Sequence, residues 1–175
     1  MLKEIFYEEL KMESINEEIR IRPLMPEDKE RAYAFYRGLG EEGTYFFNRH
    51  GGNERGTYEY MNGEKPRRIY WVAVADTSDG EEIVGLVFLF DIDTKIPWLG
   101  IGVAEKWTGR HLGRRLMTVA KEWAESVGAG GIMLTTAPEN IKGQRLYKRM
   151  GYKQIGNVPN GEMLYLLVFS NEKVK

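Results

Sequence analysis

WTGRHLGRRLMTVAKEWA, residues 107–124, combines a glycine-containing turn with the apolar spacing of an amphipathic helix. The spacing predicts a helix over residues 109–127 with one buried face. A helix N-terminus exposes backbone N–H groups and carries roughly half a positive charge, so it favours a phosphate. Two glycines would let an anion approach the backbone, and three arginines would add charge: Gly109, Gly113, Arg110, Arg114 and Arg115.

Plainer interpretations of this stretch remain open on the local pattern alone. Glycines before a helix often serve only to make a turn, and arginines on a helix face are often simply solvated. Two other phosphate loops are excluded, because a Walker loop ends in Gly-Lys-Ser/Thr and a Rossmann fingerprint needs three glycines and an acid about 20 residues on. Neither pattern is complete around Gly109.

Upstream, the sequence predicts a strand, a helix, a loop-rich segment and then more strands. Ile19 and Ile21 alternate with polar residues, as in a half-buried strand. A helix is predicted from residue 26, a proline, to about residue 39. Residues 40–68 are irregular in pattern, with one helix expected near residues 44–49.

The segment just before the glycine turn predicts three strands. Residues 68–93 form an expected hairpin around a Ser-Asp-Gly turn at residues 78–80. A further strand is predicted over residues 96–103, where Gly100 and Gly102 indicate either a bulge or a close backbone approach.

Downstream, the sequence predicts a strand, a helix and a closing pair of strands. The strand is expected at residues 130–137 and the helix at residues 140–150, with Gly151 as its left-handed C-terminal residue. The closing strands are expected at residues 152–158 and 162–170. This order of elements is typical of a mixed α/β sheet layered with helices.

Composition excludes several classes of protein. The 175-residue chain has a net charge of −1 and a pI of about 6.2, so it lacks the basic excess of a nucleic-acid binder. It contains no cysteine, which excludes thiolate metal sites and suits a reducing cytoplasm, and its histidines, His50 and His111, form no metal-ligand pattern. No apolar run approaches the roughly 20 residues of a membrane span. We therefore expect a cytoplasmic protein without a metal, a nucleic-acid partner or a membrane.

Two motifs in this order resemble those of the GNAT superfamily of acyl-CoA N-acetyltransferases. The family's acyl-CoA-binding motif, Arg/Gln-x-x-Gly-x-Gly/Ala, falls on Thr108, Gly109, Arg110, His111, Leu112 and Gly113. The family's second signature, in which Asn leads a helix and Leu-Tyr precedes Gly-Phe/Tyr, is matched by Asn140, Leu146, Tyr147, Gly151 and Tyr152.

The sequence departs from the first motif at two positions. Thr108 stands where Arg or Gln is common, and we expect it to help cap the helix. His111 replaces the first motif glycine, and because it has a Cβ we expect a negative φ there.

The resemblance covers about residues 17–170 and implies a mixed, mostly antiparallel sheet of six to seven strands with helices on both faces. It implies a single acetyltransferase domain at residues 17–175, preceded by an extension at residues 1–16. Within the extension, residues 2–12 have helical apolar spacing, although a strand is not excluded.

The implied activity is transfer of an acetyl group from acetyl-CoA to a primary amine of a small molecule, peptide or protein, by a monomer or homodimer. The alternative is a non-catalytic acyl-CoA-binding module. On the same resemblance, a bulged strand would pair with the pantetheine arm, and the glycine turn would hold the pyrophosphate. The implied cofactor-binding residues are Leu99, Ile101, Val103, Thr108, Gly109, Arg110, His111, Leu112, Gly113, Arg114 and Asn140.

Tyr147 would protonate the departing CoA thiolate, with a purely structural buried ring as the alternative. The strand before the glycine turn, where the family often places a general base, carries no carboxylate. Asp91, Asp93 and Glu105 are the nearest acids, and each is equally compatible with an ordinary surface role, so the base stays unassigned.

The acceptor would bind in the segment after the first helix, where this family places its acceptor-binding helices. Tyr45 and Phe46 would form part of the wall of a pocket there, beside acidic residues that would attract a cationic amine. The alternative is that Phe46 fills the core and the acids are solvated.

Overall fold

A seven-stranded mixed sheet forms the centre of the structure, a computed structural model that describes residues 19–170. Its strands are β1 (Ile19–Pro23), β2 (Arg68–Thr77), β3 (Gly80–Phe90), β4 (Trp98–Val103), β5 (Gly131–Thr136), β6 (Lys153–Asn157) and β7 (Met163–Val168). They lie in the order β1-β2-β3-β4-β5-β7-β6, and only β4 and β5 are parallel neighbours. The predicted fold class is confirmed, whereas the expectation for residues 2–12 lies outside the described residues.

Within residues 19–170, five helices cover the two faces of the sheet. They are α1 (Lys29–Arg37), α2 (Gly40–Phe47), α3 (Gly52–Met61), α4 (Leu112–Ser126) and α5 (Ile141–Arg149). The first three pack on one face and the last two on the other. Short 3-10 turns at Pro26–Asp28, Arg49–Gly51 and Glu105–Trp107 precede α1, α3 and α4.

The strand sequences explain why both faces are buried. Successive side chains of a strand point to opposite faces, so a strand covered on both sides reads as a continuous apolar run. In β2, Tyr70, Val72 and Val74 pack beneath the first helical layer, whereas Trp71 and Ala73 pack beneath the second. The apolar stripe of α4 closes the second core, as its spacing predicted.

The prediction for residues 40–68 was wrong. The helix expected near residues 44–49 is α2, which ends at residue 47, and a second helix, α3, was missed. Glycines lower helix propensity, and α3 contains Gly52 and Gly56. A Cβ on Gly56 would lie 2.6 Å from the Arg68 guanidinium, so this glycine leaves room for the Arg68 side chain of β2 beneath α3. That contact is tertiary and leaves no local signal.

The bulge expected in β4 is absent from the pairing of β3 with β4, which runs without a register shift from Gly85–Val103 to Phe90–Trp98. The other alternative, a close approach, is confirmed. A Cβ on Gly100 would lie 2.3 Å from the Phe88 ring, and one on Gly102 would lie 2.5 Å from the Phe47 ring. These glycines let aromatic rings of the first helical layer and of β3 pack directly on the β4 backbone.

Candidate active site

β4 and β5 separate along most of their length. They pair only at Trp98 and Met133, where the Met133 amide donates to the Pro97 carbonyl at 3.0 Å. Beyond this point, residues 99–103 and 134–136 form no ladder with each other in the described chain. We call this space the gap; it opens toward the carboxyl ends of both strands, and its backbone edges can pair with an extended ligand.

β4 contributes to the gap through its backbone more than through its side chains. Leu99, Ile101 and Val103 pack into the core beneath α4 and α5. If these residues bind a ligand, as the sequence predicts, they do so through N–H and C=O groups along the strand edge. That requirement is compatible with apolar side chains at all three positions.

The N-terminus of α4 follows β4 and lies at the same end of the sheet as the open end of the gap. Its first intrahelical hydrogen bond runs from the Arg115 amide to the His111 carbonyl at 3.3 Å. The amides of Leu112, Gly113 and Arg114 therefore have no intrahelical acceptor, and no side chain in the described part of the chain caps this end. Unpaired amides and the helix dipole both favour an anion at this position, and the binding of a phosphate by these residues stays a prediction.

The two motif glycines act differently. Gly109 has a φ of +75° and no atom within 4 Å of the place where a Cβ would stand, so the turn uses its conformational freedom. Gly113 has helical geometry, and a Cβ there would lie 2.9 Å from the Leu146 side chain. Gly113 thus allows the start of α4 to approach α5.

The arginines also have separate roles. The Arg110 guanidinium lies 4.6 Å from the centre of the Trp107 ring, where a cation–π contact holds it beside the glycine turn. Arg115 donates to the Ile19 carbonyl at 3.3 Å and so ties α4 to β1. Arg114 lies in the first turn of α4, and its side chain is exposed to solvent.

Both expectations about the motif departures were wrong. His111, the N-cap of α4, has a φ of +61° in the left-handed region. Histidine is one of the non-glycine residues found there more often than average, so it replaces the family's glycine without a change of backbone path. The Thr108 hydroxyl donates to the Glu105 carbonyl at 2.9 Å and therefore does not cap α4.

Replacing His111 with glycine is expected to stabilise the fold by about 0.5–1 kcal/mol, because glycine adopts positive φ without a Cβ clash. Urea denaturation measures this change as a shift in midpoint at constant slope. Arg110→Gly is the control, since Arg110 is not among the described residues of positive φ and should gain nothing. A His111→Gly protein less stable than the wild type would contradict the strain at His111.

Thr136 links the two residues that the second motif singled out. The Asn140 amide nitrogen donates to the Thr136 hydroxyl at 3.0 Å, while its carbonyl oxygen accepts from the Gly143 amide at 3.0 Å and caps α5. The Tyr147 hydroxyl interacts with the same Thr136 side chain. Thr136, the last residue of β5, thus holds Asn140 and lies beside Tyr147 at the open end of the gap. Thr136 was not among the residues predicted from the sequence, because its only signal is a hydroxyl at the end of a buried strand.

Tyr147 is buried, and its ring packs against Tyr165 and Tyr152 at centroid distances of 6.0 and 6.4 Å. Burial raises the pKa of Tyr147 to about 12, and the interaction with Thr136 acts in the opposite direction. The phenol therefore keeps its proton throughout the neutral range and is available as a hydrogen-bond donor.

Two of the three candidate bases lie at the wrong end of the gap. Asp91 and Asp93 follow β3 beside the start of β4, and both pair with Arg67 at 3.0 and 2.7 Å. Glu105 follows β4 at the open end, where its carboxylate packs against Gly40 of α2. Of the three candidate bases, only Glu105 therefore lies near the open end of the gap.

The predicted acceptor residues lie on α2. Tyr45 is 45% exposed, contacts the Arg49 guanidinium and lines an open surface cavity of about 630 Å³ on the side of α2 that faces the end of α1. Phe46 is partly buried, and its ring centre lies 5.0 Å from that of Tyr45. Their role in acceptor binding stays a prediction.

The described residues contain neither a metal-binding cluster nor a membrane-spanning helix. Within residues 19–170, no cluster of three or more His, Asp or Glu side chains is arranged to hold a metal ion. In the same range, no helix is both long and apolar enough to cross a membrane.

The split sheet and the order of its elements are those of the GNAT acetyltransferase fold. A family model described as the acetyltransferase (GNAT) family matches residues 32–152, so the chain belongs to this family. It is also 22% identical over 102 residues to an uncharacterized protein of Methanocaldococcus jannaschii. That match covers 58% of this chain and 21% of the other, so the chain spans about a fifth of the length of this curated relative.

Two solved structures illustrate the shared fold. The GNAT domain of S. lividans PAT is 18% identical, with a TM-score of 0.73 over 86% of this chain and 90% of that chain. The PaiA N-acetyltransferase of Thermoplasma acidophilum, solved in complex with coenzyme A, is 16% identical, with a TM-score of 0.69 over 86% of this chain and 99% of that chain.

Proposed function

We propose that this protein is an N-acetyltransferase that moves an acetyl group from acetyl-CoA to a primary amine of a small molecule, peptide or protein. We further propose that residues 17–175 form its single domain and that residues 1–16 are an extension. The observation that carries the proposal is the gap between β4 and β5, with helix N-termini at its open end and Tyr147 beside the hydrogen-bonded pair of Asn140 and Thr136.

This arrangement fits the two parts of an acyl-CoA molecule. The pantetheine arm is extended and contains amide groups, which match the unpaired strand edges of the gap. The diphosphate matches the amides of Leu112, Gly113 and Arg114, with positive charge from Arg110 and Arg114 beside them. The relative solved with coenzyme A supports the same ligand class.

Acetyl-CoA would supply an activated thioester. The amine nitrogen would form a bond to the thioester carbonyl carbon, the C–S bond would break, and the amine would lose a proton as the sulfur gains one. Tyr147 would donate to the departing sulfur. A phenol with a pKa near 12 is a weaker acid than a thiol of pKa about 8.5. A sulfur bound in a buried position would also have a raised thiol pKa, which would narrow this difference.

A two-part experiment tests the function. Coenzyme A titrated into labelled protein should shift the amide signals of Leu112, Gly113 and Arg114, as expected if these groups hold the diphosphate. An amine panel with acetyl-CoA should release free thiol with at least one acceptor. Undisturbed amides would overturn the proposed binding site.

The absence of a carboxylate from β4 and β5 favours one second candidate, a non-catalytic acyl-CoA-binding module. Such a module would bind coenzyme A with one-to-one stoichiometry by calorimetry and release no thiol with any amine. The thiol assay therefore separates the two candidates.

A further inference from the structure

Glu42 and Lys142 form an ion pair across the open end of the gap. The Lys142 ammonium lies 2.7 Å from a Glu42 carboxylate oxygen, although the residues are 100 positions apart in the sequence. Glu42 belongs to α2, in the helical layer on one face of the sheet, and Lys142 belongs to α5, in the layer on the other face. The pair therefore joins the two layers.

Packing places this contact at the carboxyl ends of β4 and β5. The start of α2 lies against Glu105, which follows β4, because a Cβ on Gly40 would lie 2.6 Å from the Glu105 carboxylate group. The start of α5 follows β5, since Asn140 hydrogen-bonds Thr136, the last residue of that strand. Any bridge between these two helix starts crosses the place where the gap opens.

The pair is well exposed, with 75% of the Lys142 side chain and 57% of the Glu42 side chain accessible. Ion pairs between exposed side chains contribute little to stability, because solvent screens them and ordering two long side chains costs entropy. A contact of this kind exchanges readily with another cation. The fold therefore does not depend on the ion pair of Glu42 and Lys142 for its stability.

We propose, on the basis of the function proposed above, that Glu42 binds the cationic form of the acceptor amine and that Lys142 occupies Glu42 until the acceptor arrives. The bound ammonium then releases one proton to solvent before its nitrogen attacks the thioester. An alkyl amine is protonated at neutral pH, as the lysine side chain is, so the acceptor and Lys142 compete for one carboxylate. The acceptor class is thus an alkyl amine, such as a lysine side chain or a diamine. A neutral aryl amine carries no positive charge, so Glu42 would not increase its affinity.

Steady-state kinetics with saturating acetyl-CoA test the proposal. The probes are a lysine-containing peptide, an alkyl diamine and a peptide with a free N-terminus, with aniline as the neutral comparison. For the alkyl amine with the fastest thiol release, Glu42→Gln is expected to lower kcat/KM about 3- to 10-fold, mainly through KM. Lys142→Met is expected to raise kcat/KM for the same amine by a similar factor, because it removes the competitor.

Glu125→Gln is the matched control, since it removes the same charge from another exposed ion pair, that of Glu125 with Lys121 at 2.7 Å. Glu125 lies near the C-terminal end of α4, away from the open end of the gap, so this variant should stay close to wild type. The double variant Glu42→Gln/Lys142→Met should behave like Glu42→Gln alone, because Lys142 acts only through Glu42. Opposite effects of the two single changes are the signature of competition.

Each other outcome overturns the proposal. A loss of activity in both single variants would mean that the ion pair only links the two helical layers. No change in either variant would mean that the ion pair has no role in acceptor binding. Turnover of aniline alone would exclude a cationic acceptor. No thiol release by the wild-type protein with any amine would overturn the proposed function and this inference together, whereas the preceding outcomes leave the function intact.

Discussion

Tyr147→Phe is expected to lower kcat about 10²–10⁴-fold, the usual contribution of a positioned acid, with little change in affinity for acetyl-CoA. The substitution removes only the hydroxyl that would donate to the departing sulfur. The buried ring and its packing against Tyr165 and Tyr152 remain. Thiol release measures kcat, and calorimetry measures acetyl-CoA binding.

The pH dependence of this variant adds a second readout. Because burial raises the pKa of Tyr147 to about 12, the phenol does not titrate in the range where the enzyme would be assayed. Tyr147→Phe should therefore lower kcat by the same factor from about pH 6 to pH 9 and leave the shape of the pH–rate profile unchanged. Loss of a limb from the profile would mean that Tyr147 titrates in this range.

Tyr152→Phe is the matched control for Tyr147→Phe. The Tyr152 ring is a neighbour of Tyr147 in the same core, and its buried hydroxyl has no hydrogen-bond partner among the described residues. Removing an unsatisfied buried hydroxyl should leave turnover unchanged and stability equal or higher. Wild-type turnover in Tyr147→Phe would assign its ring to packing alone.

The elements that local sequence encodes were predicted well. The β2–β3 hairpin follows from two apolar runs around a turn with Gly80, and that glycine has a φ of +109°. The end of α5 follows from Gly151, with a φ of +90°. In both cases a few neighbouring residues determine the backbone, so one sequence is enough.

The parts of the site that depend on distant contacts could not be predicted in the same way. The gap exists because β4 and β5 stop pairing after Trp98 and Met133, and no residue within either strand signals that separation. The ion pair of Glu42 and Lys142 joins positions that only the fold brings together. His111 shows the limit of a local rule, because the fold imposes a positive φ that a histidine usually avoids.

The second large effect is expected at a buried carboxylate far from the gap. Asp28 is fully buried and accepts hydrogen bonds from Arg22 at 2.6 and 2.8 Å and from the Met25 amide at 2.9 Å. Arg31 lies 3.3 Å from the same carboxylate. This cluster connects β1 at the edge of the sheet to the start of α1.

Asp28→Ala is expected to destabilise the protein by about 3–5 kcal/mol, the usual cost of removing one partner of a buried ion pair. The change leaves the Arg22 guanidinium, only 15% exposed, without its main acceptor. It also removes the acceptor of the Met25 amide. Urea denaturation at pH 7 measures the loss.

The pH dependence of stability should also report Asp28. Burial alone would raise the pKa of Asp28, but hydrogen bonds from Arg22 and the Met25 amide, with the charges of Arg22 and Arg31, lower it below its ordinary value. A carboxyl with a lowered folded-state pKa stabilises the protein above its unfolded pKa, about 3.9, and this contribution is lost as pH falls through the folded pKa. The difference in stability between wild type and Asp28→Ala should therefore be constant from about pH 6 to pH 8 and shrink below about pH 4.

Asp76→Ala is the control for Asp28→Ala, because Asp76 pairs with Arg20 at 2.9 Å at the exposed end of the same group of charges. More than half of each side chain is accessible, so this change should cost at most about 1 kcal/mol. Equal losses in the two variants would mean that burial of Asp28 does not set its contribution. A loss in Asp28→Ala that stays constant down to pH 3 would contradict the lowered pKa, since it would mean that the Asp28 carboxyl takes up its proton equally in the folded and unfolded chains.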